Sequence, residues 1–222
     1  MIARLKRLAK SSLQGTPRIY SHVQRLYLKF KTARLEMTKS SVFTDEDQLE
    51  YCSLFPQEVL DLVIEHYRPK SVLDLGCGTG RSLDYFLSKG IDAWGVEGSK
   101  LAIKKARHPE RISRRNLNEP VSMDRRFDLL WSYEVAEHIH PEFVLALMAT
   151  LTTHSDHVVL SAARPGQGGD GHFNEQPPEY WITRFEECGF RLNRELTAAA
   201  HGCKTPYCEN ILAFDKAAVR SA

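Results

Sequence analysis

The chain has 222 residues, of which 42% are hydrophobic, and this predicts a single main domain with a substantial core. Its 30 lysine and arginine residues nearly balance its 28 aspartate and glutamate residues, so the overall charge does not favour nucleic acid as a partner. No apolar run reaches membrane-spanning length, and five cysteines do not indicate a disulfide framework, so we expect a cytoplasmic protein.

The first 48 residues differ from the rest of the chain in their charge. Nine basic residues precede the first acidic residue, Glu36, and apolar residues recur among them at helical spacing. We therefore predict a basic helical extension over residues 1–48 and a catalytic domain over residues 49–222. The extension could contact an anionic membrane surface, grip a phosphorylated substrate or simply face solvent.

After a predicted helix over residues 43–67, interrupted near Pro56, strands and helices alternate along the chain. Strands are predicted at 71–76, 92–99, 111–117, 127–132, 157–163, 190–198 and 209–216, and helices at 81–90, 100–107, 141–153 and 177–190. The alternation predicts an α/β, Rossmann-like doubly wound fold with a mainly parallel seven-stranded sheet. The last two strands follow one another without a helix, so we expect them to pair as a hairpin, with the C-terminal strand antiparallel.

The first strand ends in a glycine-rich turn, "VLDLGCGTG" at 72–80. Such a turn lets the backbone approach a ligand closely and points the next helix at it. The spacing of Gly76, Gly78 and Gly80 differs from the G-x-G-x-x-G of nicotinamide-cofactor sites, and Asp74 lies just before the turn. An acid there would repel a pyrophosphate but suits the ammonium group of S-adenosylmethionine.

The loop, its acid and the order of elements resemble the class I S-adenosylmethionine-dependent methyltransferases over roughly residues 50–216. The resemblance implies that Asp74 holds the methionine amino group and that Glu97 accepts both ribose hydroxyls. It also implies that Asn116 and Leu117 lie by the adenine. The remaining residues expected at the cofactor are Gly76, Cys77, Gly78, Gly80, Gly98 and Ser132, although Cys77 could equally be a packing residue.

The segment after the fourth strand, "SYEVAEHIH", is rich in acids and histidines. In a helical turn Glu134, Glu137 and His138 would share one face, and two carboxylates beside an imidazole suit a divalent metal. This E-x-x-E-H segment resembles those of small-RNA 2′-O-methyltransferases and ubiquinone-pathway O-methyltransferases. The resemblance implies Mg, Mn or Zn held by Glu134, Glu137, His138 and His172. The alternative is a metal-free pocket in which His138 acts as a catalytic base.

The loop from Arg164 to Tyr180 is long for a compact domain, so it could form an aromatic and polar lid over the acceptor. The leading hypothesis is therefore O-methylation of a small-molecule, sugar or lipid-linked acceptor. Two alternatives stay open: an RNA 2′-O-methyltransferase, against which the absence of a basic stripe argues, and a non-catalytic subunit that binds the cofactor. The sequence does not specify an oligomeric state.

Overall fold

The computed structural model describes residues 55–218. The predicted basic extension, residues 1–48, lies outside the described residues, so its helices and its boundary with the catalytic domain stay predictions. Across residues 55–218, no helix is both long enough and apolar enough to cross a membrane.

A seven-stranded sheet forms the centre of the described residues. Its strands are β1 (Ser71–Leu75), β2 (Asp92–Glu97), β3 (Ile112–Arg114), β4 (Leu129–Ser132), β5 (His157–Ser161), β6 (Phe190–Leu192) and β7 (Ile211–Lys216). They lie in the order β3-β2-β1-β4-β5-β7-β6. Strands β1 to β5 are parallel, and β7 is antiparallel to both of its neighbours. The predicted doubly wound, mainly parallel sheet with an antiparallel C-terminal strand is therefore confirmed.

Helices cover both faces of this sheet. They are α1 (Gln57–Tyr67), α2 (Arg81–Ser88), α3 (Lys100–Lys105), α4 (Val144–Thr153), α5 (Pro178–Glu187) and α6 (Arg194–His201). One apolar core contains buried residues of α1, α2 and α6, and the other contains those of α4 and α5. Strands β1 and β4 lie between the two cores and are buried along their whole length, which explains why most of their residues are apolar.

The connections of the central strand β1 determine where a ligand can bind. From β1 the chain passes to β2 on one side of β1, and from β3 it later returns to β4 on the other side of β1. Because the two connections leave in opposite directions, a crevice opens beyond the carboxyl ends of β1 and β4. The glycine loop and the E-x-x-E-H segment follow strands at this edge, and Glu97 is the last residue of β2.

The predicted strand over 190–198 is wrong from residue 193 onward. Strand β6 ends at Leu192, and helix α6 begins at Arg194. The Asn193 side chain accepts the backbone N–H of Leu196 at 2.9 Å, so it caps the helix, and the alanines that follow favour helix continuation. The antiparallel pairing of β6 with β7 is confirmed, but the connection contains a helix rather than a simple loop.

Candidate active site

The glycine loop begins where β1 ends and leads into α2. Gly76, Gly78 and Gly80 have φ angles of 75°, 56° and 82°, a region that residues with a side chain rarely adopt. The backbone N–H groups of Gly76 and Cys77 donate to the Val96 carbonyl at 2.8 and 3.1 Å, which ties the loop to β2. The three spaced glycines are thus required by the backbone path.

Gly76→Ala should weaken binding of S-adenosylhomocysteine, the demethylated form of the implied cofactor, by at least about tenfold. A Cβ at residue 76 would lie 2.5 and 2.7 Å from the two Cγ atoms of Val135. The glycine loop and the Val135 side chain would therefore have to move apart. Titration calorimetry measures the affinity, and thermal unfolding should show a lowered Tm.

Gly90→Ala is the matched control for this substitution. Gly90 has a φ of 77°, close to that of Gly76, but a Cβ there would meet no atom of the described residues within 4 Å. The control therefore carries the same backbone strain without the steric overlap. Equal cofactor affinity in the two variants would contradict a role for the Gly76–Val135 contact in shaping the loop.

Asp74 is a buried acid next to this loop. It is the fourth residue of β1, lies between Gly95 and Trp131 of the neighbouring strands, and is 3% exposed. Its Oδ2 has no hydrogen-bond partner among the described residues. Burial, together with the nearby Glu97 charge, raises the pKa of the Asp74 carboxyl to about 8. A ligand ammonium group would relieve this cost, so the environment fits the implied methionine amino group.

Glu97 ends β2 and is also buried, but its carboxylate is firmly oriented. Its Oε2 accepts the N–H of Gly78 at 2.8 Å, and its Oε1 accepts the N–H of Ser99 at 2.7 Å. Burial raises the pKa of Glu97, although these N–H groups and that of Gly98 oppose the shift. Each oxygen keeps a second lone pair, so the carboxylate can still accept two hydroxyls of a diol.

The other predicted cofactor residues occupy varied positions. Asn116 accepts the N–H of Asn118 at 3.1 Å, and Leu117 packs against the core that contains α4 and α5. The Ser132 hydroxyl donates to the Leu75 carbonyl at 3.0 Å, so it ties β4 to β1. The thiol of Cys77 lies against Gly95, where a Cβ would approach it to 2.6 Å. Direct contact of these residues with the cofactor stays a prediction.

The E-x-x-E-H segment does not form the continuous helical face considered from the sequence. Glu134 has a φ of 52°, which breaks any helix at that residue. A short 3₁₀ helix then spans Ala136–His138 and contains only the second acid and the histidine. The segment nevertheless lies at the carboxyl edge of the sheet, as predicted.

Glu137 is fully buried, with 0% exposure, and neither carboxylate oxygen has a hydrogen-bond partner in the described part of the chain. Burial raises the pKa of Glu137 well above its ordinary range, and the charge of Glu134 raises it further. Buried polar groups in folded proteins are nearly always paired, so these two oxygens indicate a site for a ligand.

Two histidines complete this site. Ligand atoms of Glu137, His138 and His172 all lie within 4.8 Å of one another, and we call these residues the Glu-His-His cluster. Nδ1 of His138 lies 3.2 Å from the Gly171 carbonyl oxygen, and Nδ1 of His172 lies 3.0 Å from Glu175 Oε1. Metal-binding histidines typically make such a bond through the nitrogen that does not contact the metal.

Backbone hydrogen bonds hold the two parts of the cluster together. The carbonyl of Glu137 accepts the N–H groups of Phe173 and Asn174 at 2.8 and 3.0 Å. The 3₁₀ helix that carries Glu137 is therefore joined directly to the loop that carries His172. The cluster is preorganised by the fold, as a binding site with defined geometry requires.

Glu134, the fourth predicted metal ligand, lies outside the Glu-His-His cluster. Its carboxylate accepts the Ser161 hydroxyl, Nε2 of Gln167 at 3.0 Å and Nδ2 of Asn210 at 3.1 Å. These three donors satisfy much of its hydrogen-bonding capacity. Sequence reasoning missed Gln167 and Asn210, because they come from two loops that are distant from Glu134 along the chain. It also missed Glu175, whose position three residues after His172 was the available signal.

Comparisons with known proteins identify a family and agree with the fold. A family model described as "Methyltransferase domain" matches residues 45–195. A solved S-adenosylmethionine-dependent methyltransferase from Clostridium acetobutylicum superposes with a TM-score of 0.62 at 12% identity, covering 78% of this chain and 96% of the other. The sugar N-methyltransferase KedS8 from Streptoalloteichus sp. gives a TM-score of 0.60 at 16% identity, covering 81% and 97%. Both likenesses concern the fold.

A curated relative matches a shorter part of the sequence. The probable chloroplastic tocopherol O-methyltransferase of rice, Oryza sativa subsp. japonica, is 33% identical over 84 residues. The match covers 32% of this chain and 23% of the rice protein, so this chain spans less than a quarter of that relative.

Proposed function

This chain belongs to the methyltransferase domain family, and we propose that it uses S-adenosylmethionine to methylate a hydroxyl oxygen of a small-molecule, sugar or lipid-linked acceptor with help from a divalent cation. The observation that carries this proposal is the Glu-His-His cluster. Glu137 is a buried carboxylate without a hydrogen-bond partner among the described residues, and two imidazoles lie beside it. A cation would offset the cost of burying that charge, which apolar packing alone would not.

The donor side of the crevice fits S-adenosylmethionine by its chemistry. Asp74 offers a buried carboxylate to an ammonium group, and Glu97 offers two oriented oxygens to a ribose diol. Both acids would repel a phosphate, so the crevice suits a cofactor without one. The methyl group on the sulfonium is already electrophilic, so the protein has mainly to exclude water and orient the acceptor.

The acceptor side fits a divalent cation such as Mg²⁺, Mn²⁺ or Zn²⁺. One carboxylate and two imidazoles are a common ligand set for such ions, and they leave coordination positions for other oxygen atoms. A bound cation would supply a Lewis acid that holds the acceptor hydroxyl and lowers its pKa. The hydrogen bonds from the Phe173 and Asn174 N–H groups to the Glu137 carbonyl hold Glu137 and the His172 loop in fixed positions relative to each other. In a metal-free enzyme, His138 would instead accept the hydroxyl proton.

The names of two relatives support a small-molecule acceptor. One solved neighbour is a sugar N-methyltransferase, and the curated relative is a probable tocopherol O-methyltransferase. Both named acceptors are small molecules; the first name specifies methylation on nitrogen, and the second specifies methylation on oxygen. The oxygen-binding chemistry expected of the Glu-His-His cluster agrees with a hydroxyl acceptor.

A methyl-transfer assay with chelation tests this proposal. We expect the protein to transfer a radiolabelled methyl group from S-adenosylmethionine to a glycan, lipid or small-molecule fraction of a cell extract. Treatment with EDTA should lower the rate by at least about 100-fold, because the acceptor oxygen loses its Lewis acid, and Mn²⁺ or Zn²⁺ should restore it. Heat-denatured protein gives the background.

The assay separates the parts of the proposal by its outcomes. Labelling that survives EDTA would contradict the cation and leave His138 as the candidate base. Labelling confined to the RNA fraction would contradict the small-molecule acceptor. An active preparation that labels only amino groups would contradict methylation on oxygen.

A further inference from the structure

Glu175 is a partly buried acid in the loop between β5 and α5, and it makes an unusual set of contacts. Its Oε2 accepts the backbone N–H of Gly166 at 2.8 Å, and its Oε1 accepts that of Gly168 at 2.6 Å. The same Oε1 lies 3.0 Å from Nδ1 of His172. One carboxylate therefore binds the glycine-rich part of the loop and a member of the Glu-His-His cluster.

The contact with Glu175 determines which ring nitrogen of His172 carries a hydrogen. An ionised carboxylate has no proton to give, so the hydrogen in this bond must reside on Nδ1 of His172. In the neutral ring, Nε2 then carries the lone pair, which is the form that binds a metal ion. The His172 side chain is only 11% exposed, so the ring has little space to turn away.

The backbone that Glu175 holds lies directly against this ring. A Cβ at Gly169 would overlap Nε2, Cδ2 and Cε1 of His172, so only glycine leaves space beside Nε2. The same loop carries Gln167, which donates to Glu134 at 3.0 Å. The path of residues 166–171 therefore influences both the accessibility of Nε2 and the position of Glu134.

We propose that Glu175 is a positioning residue, which keeps the His172 proton on Nδ1 and holds the 166–171 loop so that Nε2 faces the Glu-His-His cluster. The inference rests on the proposed function, because it gives Glu175 a role in the same cation site. It assigns no contact with acceptor or cofactor to Glu175. Without the carboxylate, the ring would lose its orientation and the loop would lose two backbone hydrogen bonds.

Metal affinity and ligand geometry test this role directly, without an activity assay. Titration calorimetry of the full chain with Mn²⁺, and visible absorption of the Co²⁺-loaded protein, would be compared for wild type, Glu175→Ala and Glu175→Gln. We expect Glu175→Ala to bind Mn²⁺ about 10- to 100-fold more weakly and to change the Co²⁺ spectrum. The Mn²⁺ affinity of Glu175→Gln should lie between those of wild type and Glu175→Ala, since the amide oxygen of glutamine can still accept one hydrogen bond.

The controls separate a positioning role from loss of folding. Glu186→Gln removes a charge from an exposed residue of the following helix and should bind Mn²⁺ as wild type does. S-adenosylhomocysteine affinity should stay within about twofold in every variant, because the donor residues lie on other loops. If Glu175→Ala does not fold, Glu175→Gln provides the comparison.

Two results would overturn the inference in distinguishable ways. Wild type that binds Mn²⁺ tightly while both Glu175 variants match it in affinity and Co²⁺ spectrum would contradict the positioning role alone. Wild type that binds neither Mn²⁺ nor Co²⁺ would contradict the proposed cation site itself, and the role of Glu175 with it.

Discussion

Glu137→Gln should remove Mn²⁺ or Zn²⁺ binding and lower methyl transfer by at least about 100-fold, a larger loss than is typical for residues that only support metal ligands. The substitution keeps the shape of the side chain and deletes its charge. Because the carboxylate is fully buried without a hydrogen-bond partner in the described residues, the metal-free variant should not have a lower Tm than wild type. Calorimetry, the labelling assay and thermal unfolding measure the three quantities.

A control on the same segment sharpens this test. Glu142→Gln removes an acid whose side chain is 53% exposed, five residues along the chain, and should leave metal binding and activity unchanged. A Glu137→Gln variant that retained metal affinity and activity would exclude Glu137 as a ligand. A variant with intact metal binding but no activity would instead give the carboxylate a role towards the acceptor.

The glycine loop and the position of Asp74 before it could be predicted from the sequence because their determinants are local. Asp74 and the three glycines lie within seven consecutive residues. The residue type itself indicates the role in each case: a negative charge for Asp74, and a positive φ angle for the glycines. The sheet was predictable for a similar reason. Alternating apolar strands and amphipathic helices leave few arrangements that bury both faces of a parallel sheet.

The acceptor half was only partly predictable because its geometry depends on contacts between distant loops. The spacing of Glu134 and Glu137 suggested one helical face, but the positive φ of Glu134 means that the two acids do not share a continuous helix. Glu134 is held by Gln167 and Asn210, which no local pattern connects with it. Two partners of Glu175 are backbone N–H groups. Every residue except proline has such a group, so the residue types in the sequence do not indicate this contact.

Helix α6 illustrates a different limit. The segment from Phe190 begins with residues that favour a strand, and the prediction extended that strand to residue 198. The Asn193 side chain caps the next backbone turn, so three residues of strand give way to a helix. A capping residue could have been recognised at that position, but the same asparagine is also common in turns.

Asp74→Asn should weaken S-adenosylhomocysteine binding by about 10- to 100-fold, because the ligand ammonium group loses a charged partner. The same change should make the stability of the cofactor-free protein less dependent on pH between about 4 and about 8. Burial raises the pKa of the Asp74 carboxyl from 3.8 to about 8, so across that interval the folded protein holds a proton that the unfolded chain releases. Wild-type stability should therefore fall as the pH rises through this window, and the asparagine variant should lose less.

Calorimetry and thermal unfolding between about pH 5 and about pH 9 measure the two effects of Asp74→Asn, affinity and stability. Asp124→Asn, at an exposed acid, should change neither. Affinity that did not change would exclude Asp74 from the amino-group site, whereas equal pH dependence of Tm in variant and wild type would contradict the raised pKa. Loss of affinity together with a gain in alkaline stability would identify Asp74 as a group retained for ligand binding at a cost to stability, because the charge that suits the cofactor is unfavourable in the empty pocket.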